Sequence, residues 1–168
     1  MTTVIERQMS TGVELRRVRA SDLAGVLAMF ERCSVRTRYR RWHGHTYRFP
    51  SAYLAAMLSE SDVHPAFAGV HAGDIVAIAS VPIEPSAATG TREVAILVED
   101  DWQLRGVGRA LLARLVDEAR LRGTQQIRAE ILVEDAWLLR LLRRHGPTTS
   151  HTSHGVIVAT VHLGHLGP

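Results

Sequence analysis

Residues 94–112 read VAILVEDDWQLRGVGRALL, and this stretch decides the fold. An apolar run of strand length, residues 94–98, leads into a polar loop that holds two glycines, Gly106 and Gly108. Apolar positions then recur at helical spacing up to about residue 122. The stretch therefore predicts a strand, a tight loop and a helix that begins near residue 107.

Patterns on both sides of this stretch extend the prediction to the whole chain. Strands are predicted at 14–19, 66–71, 75–82, 93–98, 126–133 and 156–163, and helices at 21–32, 52–58, 107–122 and 136–144. Residues 34–49 predict irregular structure, and residues 82–90 predict a hairpin connection. The order β-α-α-β-β-β-α-β-α-β predicts an α/β protein in which helices pack on the faces of a mixed sheet.

Length and composition limit the class of protein. The chain has 168 residues, of which 46% are apolar and 22% charged, so we expect a single domain over residues 1–168 and no wholesale disorder. The longest uncharged apolar runs have strand length, which predicts no membrane span. Residues 1–7 contain no apolar run, so we expect no signal peptide and a cytoplasmic location. One cysteine, Cys33, excludes an internal disulfide.

Charge and histidine content give no strong indication of a partner. All basic residues are arginine, and the net charge of +3 is too modest to indicate nucleic acid by itself. The closest histidine pairs are His43 with His45 and His151 with His154, and no acidic residue stands at ligand spacing from either pair. We therefore expect no metal site.

The loop with two glycines is suited to bind an anion. A helix N-terminus exposes backbone N–H groups, glycines permit close approach, and Arg105 and Arg109 add positive charge. The absence of lysine excludes a Walker A phosphate loop, and Leu111 stands where a dinucleotide fingerprint requires Gly or Ala. A tight turn without any ligand is the alternative.

The loop sequence resembles a known family motif. Gln103-Leu104-Arg105-Gly106-Val107-Gly108 is similar to the Gln/Arg-x-x-Gly-x-Gly/Ala motif of the GNAT superfamily of acyl-CoA-dependent N-acyltransferases, and the predicted order of elements is similar too. The resemblance implies a central, mostly antiparallel sheet flanked by about four helices. It also implies acetyl-CoA as co-substrate. The pyrophosphate would be held by Gln103, Leu104, Arg105, Gly106, Val107, Gly108 and Arg109. The pantetheine arm would pair with the backbone of Ile96, Leu97 and Val98.

Glu93 is the first candidate for the catalytic base. N-acyl transfer needs a neutral amine, and alkylamines are mostly protonated near neutral pH. The surrounding sequence resembles bacterial protein-lysine acetyltransferases of the Pat type, in which the glutamate at this position is catalytic. By strand alternation Glu93 shares a face with Leu97 and Glu99, and a covered carboxylate there would have a raised pKa. The alternatives are a solvent-facing Glu93 and catalysis by Glu99.

Two positions differ from the pattern of the family. Asp135 stands where many members have an Asn that contacts the cofactor, and Leu142 stands where many have a Tyr that acts as general acid. Two interpretations therefore remain open. One is an N-acetyltransferase that acts on a primary amine, either a protein lysine or a small molecule. The other is a catalytically inactive acyl-CoA-binding sensor or interaction module.

Residues 36–43, RTRYRRWH, form the strongest basic cluster. They fit a solvated loop anchored by Tyr39 and Trp42 or a surface for single-stranded nucleic acid. The resemblance to the GNAT superfamily implies a third interpretation, a wall of the acceptor site that favours acidic substrates. We expect neither nucleic acid nor a membrane as partner. A homodimer is the default expectation for the assembly.

Overall fold

The computed structural model describes residues 12–81 and 90–164, which form a mixed α/β fold. The strands are β1 (Glu14–Arg17), β2 (Ala66–His71), β3 (Asp74–Ser80), β4 (Thr91–Glu93), β5 (Ala95–Val98), β6 (Gln126–Leu132), β7 (Thr148–Ser153) and β8 (Val156–His162). The helices are α1 (Leu23–Arg32), α2 (Val35–Trp42), α3 (Ser51–Leu58), α4 (Val107–Leu121) and α5 (Leu139–Leu142). The predicted α/β class is confirmed, and the predicted 82–90 connection lies almost wholly outside the described residues.

The strands form two sheets rather than the single central sheet that we expected. The first sheet has the order β1-β2-β3-β5 and is antiparallel throughout. The second has the order β4-β6-β8-β7, with a parallel β4–β6 pair and antiparallel neighbours beyond it. The predicted strand 93–98 is divided between them at Val94, whose N–H still donates to the carbonyl oxygen of Arg128 at 2.8 Å. From Ala95 onward the chain pairs with β3 instead.

Helices cover both faces of the first sheet. The side chains of successive β5 residues point alternately to these two faces. Leu97 belongs to a core cluster with Phe30 of α1 and Met57 of α3. Ile96 and Val98 pack against the other cluster, which includes Leu111, Leu112 and Leu115 of α4. Burial of these apolar faces is the main stabilising contribution that orients α4 beneath β5.

Two predictions about local structure were wrong. Residues 34–49 are not wholly irregular, because α2 occupies Val35–Trp42. Val35, Tyr39 and Trp42 do stand at helical spacing, but arginines dominate the segment, and contacts with other elements hold the helix in place. The helix predicted at 136–144 is divided between the end of a 3₁₀ segment, Val133–Leu138, and the single turn α5, Leu139–Leu142. Asp135 within it has non-helical torsion angles, φ −105° and ψ 19°.

The strand β7 had no sequence signal. Its residues TTSHTS are polar and almost all exposed, and they pair only with β8 among the described strands. An edge strand with no buried face lacks the apolar alternation from which strands are predicted. Within residues 12–81 and 90–164, no helix has both the length and the apolar character to cross a membrane.

Candidate active site

A cleft of about 600 Å³ opens where the two sheets diverge. Glu93, the last residue of β4, lies opposite Arg128 of β6 in parallel register. Beyond Val94, β5 pairs with β3 on one side and has no strand partner among the described residues on the side that faces β6. Alternate backbone N–H and C=O groups of Ile96–Val98 therefore point to this open side and are available to a ligand, except the carbonyl oxygen of Val98, which accepts a hydrogen bond from Gln103.

The N-terminus of α4 forms one end of this cleft. Gly106 is the N-cap residue with a φ of 86°, a left-handed conformation that glycine adopts without strain. Its lack of a side chain leaves the first N–H groups of α4 without a side-chain cap. A Cβ added to Gly108 would meet Val98 at an ordinary 3.5 Å, so a short side chain fits there while a long one would enter the cleft. Uncapped N–H groups at a helix start are suited to bind an anionic group.

Most of the predicted cofactor residues lie together around the cleft. The predicted residues that line it are Ile96, Leu97, Val98, Gln103, Leu104, Gly106, Gly108, Arg109 and Asp135. Two others do not line it. Arg105 is exposed, and its guanidinium stacks over Trp102 at 5.3 Å from the ring centroid. Val107 is fully buried in the core beneath α4 and can offer only its backbone.

The side chain of Gln103 connects three elements. Its amide donates to the carbonyl oxygen of Val98 at 3.0 Å and to the hydroxyl of Thr37 at 2.9 Å. These bonds fix the positions of the end of β5, the loop before α4 and the helix α2 relative to one another. Gln103 therefore positions the loop instead of pointing a free amide at a ligand.

Asp100 anchors the start of α2 from the same loop. Its carboxylate accepts hydrogen bonds from the N–H and hydroxyl of Ser34, at 2.8 and 2.6 Å, and from the hydroxyl of Thr37 at 2.9 Å. Burial opposes ionisation of this carboxyl, but the hydrogen bonds from Ser34 and Thr37 outweigh it and lower the pKa of Asp100. The hydroxyl of Ser34 in turn accepts the N–H of Thr37 as the helix cap.

The two candidate glutamates occupy different environments. Glu93 lines the cleft but is exposed, so the expectation of a covered carboxylate was wrong. Glu99 is buried, with a relative exposure of 8%, and forms an ion pair with Arg32 of α1 at 3.0 Å. It is not among the residues that line the cleft, so the structure favours Glu93 of the two.

The arginines of α2 are bound to internal partners. Arg40 lies 3.0 Å from the buried carboxylate of Asp135 and 3.5 Å from Glu134, and Arg36 lies 3.6 Å from Glu134. The guanidinium of Arg41 stacks over Tyr53 at 5.0 Å. These contacts join α2, which packs on β5, to the segment that follows β6. They argue against a free basic stripe for nucleic acid and against an arginine-rich acceptor wall.

His43 is a cleft residue that the sequence did not single out for this role. It follows α2 with a φ of 53°, and its Nδ1 lies 3.7 Å from Oε2 of Glu130 on β6. Its Nε2 is buried without a hydrogen-bond partner among the described residues. Only the unexpected helix α2 brings this ring over the cleft, so no pattern in the sequence could have located it.

Other reactive groups are unsuited to chemistry in the cleft. Leu142 lines it as a buried apolar side chain, so no acid stands at that position. Burial raises the pKa of the Cys33 thiol to about 12, which leaves it a thiol near neutral pH. The described residues contain no cluster of three His, Cys, Asp or Glu side chains that could hold a metal ion.

Comparisons with known proteins identify relatives of the whole fold. The model of the acetyltransferase (GNAT) family matches residues 27–146. The chain is 31% identical over 165 residues to Acetyltransferase Pat of Mycolicibacterium smegmatis, and this match covers 95% of the chain and 49% of that protein. The chain thus spans about half the length of this curated relative.

Solved structures show the same fold. The GNAT domain of S. lividans PAT is similar with a TM-score of 0.81 and 23% identity, and the match covers 94% of this chain and 95% of that one. The structure of yncA from Salmonella typhimurium with acetyl-CoA is similar with a TM-score of 0.72 and 22% identity, covering 93% and 97%. The resemblance seen in residues 103–108 is confirmed: the chain belongs to the GNAT acetyltransferase family.

Proposed function

We propose that the cleft binds acetyl-CoA and that the chain transfers the acetyl group directly to a primary amine. The observation that carries this proposal is the divergence of β5 and β6 beside the uncapped N-terminus of α4. Membership of an acetyltransferase family supports it, as does the acetyl-CoA held by a protein of similar fold.

The cofactor would lie along the cleft with its anionic end at α4. The amides of Gly106 to Gly108 and the Arg109 side chain would receive the pyrophosphate, with Arg105 adding charge nearby. The amide groups of the pantetheine arm would pair with Ile96–Val98, as an added strand does. Asp135 can accept a hydrogen bond from that arm.

The reaction forms a C–N bond and breaks the C–S bond of the thioester. Glu93 accepts the proton that an incoming ammonium group must lose before its nitrogen can attack. An N–H of the β5 edge polarises the thioester carbonyl and stabilises the developing oxyanion. No covalent intermediate is required, and the protonated, buried Cys33 is not suited to form one.

The acceptor side of the cleft fits a cation better than an acidic group. Glu93 and Glu130 line it, Arg40 is paired with Asp135, and the guanidinium of Arg41, which also lines the cleft, lies over the ring of Tyr53. A protein lysine and a small-molecule amine both carry a positive charge that would pair with these carboxylates. The wall of free arginines that would have selected an acidic acceptor is not present in the described residues.

Calorimetry tests the binding of acetyl-CoA first. Calorimetry with acetyl-CoA should give saturable binding to the native chain and to Gly108→Ala, because a methyl group fits beside Val98. Binding should be lost in Gly108→Glu, which places bulk and negative charge where the pyrophosphate would lie. Thermal unfolding of all three proteins checks that each is folded. No binding by the native chain would contradict the proposal.

Turnover is then measured with a set of primary amines, including a lysine peptide. Glu93→Gln should lower kcat by roughly 100-fold with unchanged acetyl-CoA affinity, whereas Glu14→Gln on β1 should have no effect. Binding without turnover for every amine would instead favour an acyl-CoA-binding module, the alternative that the apolar Leu142 suggests.

A further inference from the structure

His43 is fixed at the end of α2 by backbone geometry. It is the C-cap residue in a left-handed conformation, and its N–H donates to the carbonyl oxygen of Tyr39 at 2.7 Å. Only 19% of its side chain is exposed, and the residue lines the cleft. A ring held in this way has little conformational freedom to lose when a ligand binds.

Glu130 of β6 lies within ion-pair distance of this ring. Its Oε1 accepts a hydrogen bond from Arg128 at 2.7 Å, and its Oε2 lies 3.7 Å from Nδ1 of His43. Arg128 is the residue opposite Glu93, and Glu130 lies two residues farther along β6, about 7 Å. His43 is therefore placed beside the point at which the two strands separate, where the backbone of β5 becomes free to bind a ligand.

The other ring nitrogen lacks a partner. Nε2 of His43 is buried and has no hydrogen bond within the described part of the chain. A buried polar atom without a partner destabilises the folded state, unless a ligand or water supplies the partner. When the proton of the neutral ring is on Nδ1, facing the Glu130 carboxylate, Nε2 presents a lone pair.

We propose that His43 is a second catalytic residue of this cleft, which accepts a proton from the acceptor nitrogen during acyl transfer. The inference rests on the proposed function, since it requires an amine and acetyl-CoA in the cleft. Glu130 is the positioning residue that fixes the tautomer of the ring.

Two protons leave the acceptor nitrogen in the course of the reaction, and two groups in the cleft can accept them. An ammonium group loses one proton before attack, and its nitrogen loses another as the tetrahedral intermediate becomes an amide. Glu93, exposed at the mouth, takes the first proton and releases it to solvent. Nε2 of His43 takes the second, the C–S bond breaks, and the imidazolium returns that proton to the CoA thiolate. The overall products are the amide, CoA as the thiol and one proton.

Electrostatics around the ring suit this cycle. The transient imidazolium forms within ion-pair distance of Glu130. The other charged residues that line the cleft are Arg40, Arg41, Glu93, Arg109 and Asp135. Arg40 is neutralised by Asp135, so it adds little repulsion to a positive charge on His43.

The experiment compares His43→Gln with His45→Gln, a neighbouring exposed histidine that does not line the cleft. We expect His43→Gln to bind acetyl-CoA as the native chain does and to lose about 100-fold in kcat with little change in acceptor KM. His45→Gln should match the native chain in all three quantities. A kcat for His43→Gln within about threefold of native would overturn the proposal while leaving the acetyltransferase function intact.

A second readout does not depend on turnover. Ring ¹⁵N resonances should show the His43 proton on Nδ1, and acetyl-CoA should shift the Nε2 signal of His43 but not that of His45. Glu130→Gln should change the His43 tautomer and lower kcat by about tenfold, which a purely structural role would not do. An unchanged His43 signal upon saturation with acetyl-CoA would overturn the assignment. Failure of acetyl-CoA to bind at all would overturn the proposed function with it.

Discussion

Single residues set how closely the strands and loops can approach. Gly146, just before Pro147, lies against the backbone of β8, and a Cβ at this position would clash with the carbonyl oxygen of His162. The N–H of His162 also donates to the carbonyl oxygen of Pro147 at 2.9 Å. A side chain at position 146 would therefore force this connection away from the sheet.

We expect Gly146→Ala to lower the free energy of unfolding by about 1–3 kcal/mol, the usual cost of inserting a methyl group into a packed site. Urea denaturation measures the change. Gly44→Ala is the matched control, because its nearest neighbour would be 3.8 Å away, so its stability should remain within about 0.5 kcal/mol of native. Equal stabilities for the two variants would contradict the structure at Gly146.

At the level of elements, α2 shows how contacts with distant segments hold a short, arginine-rich helix in place. Its N-terminus is capped by Ser34, whose N–H and hydroxyl are in turn bound by Asp100. Its arginines neutralise acidic side chains of the segment after β6. These are contacts between residues far apart in sequence, so they compensate for a weak local preference.

Asp100→Asn should destabilise the fold by about 1 kcal/mol at pH 7, because the exposed carboxylate accepts three hydrogen bonds from Ser34 and Thr37 at the start of α2. The lowered pKa of Asp100 fixes the sign of the pH dependence. Its contribution is fully present above the ordinary aspartate pKa and is lost as the pH falls through the lower folded-state pKa.

Denaturation at several pH values tests this expectation. The difference in stability between the native chain and Asp100→Asn should shrink below about pH 4. Asp101→Asn, at an exposed neighbouring position, should show little difference from native at any pH. A constant difference for Asp100→Asn down to pH 2 would mean that the carboxylate charge has no role in holding α2.

At the level of the whole molecule, the cleft exists because the chain passes from one sheet to the other at Val94, and the two sheets separate beyond that residue. The contact between Arg40 and Asp135 spans this separation and joins α2 to the segment after β6. Asp135 has only 6% relative exposure, and Arg40 is its ion-pair partner. Arg36, by contrast, has a side chain that is 70% exposed.

Arg40→Gln should lower the stability of the fold by about 3 kcal/mol, because it leaves the Asp135 carboxylate buried without its partner. Arg36→Gln should cost less than about 1 kcal/mol, as expected for an exposed ion pair. Thermal and urea unfolding compare the two. Equal losses would show that the Arg40–Asp135 pair is no more important than a surface contact.

The sequence alone determined the local part of this protein. Residues 94–112 carry strand alternation, a loop with glycine where φ is positive, and helical periodicity, and these depend on neighbouring residues along the chain. The family and the cleft-lining positions Ile96–Val98, Gln103 and Gly106 followed from that stretch. Apolar patterns also located most other strands and helices.

Only the tertiary structure decided what meets across the cleft. The separation of β4 from β5 at Val94, the exposure of Glu93 and the pairing of His43 with Glu130 result from contacts between distant segments. The polar strand β7 has no apolar alternation, because it pairs with the edge of β8 and has no buried face, and the arginines of α2 have acidic partners in a distant segment. These partners lie far away in the sequence and leave no local pattern, so only the folded structure identifies them.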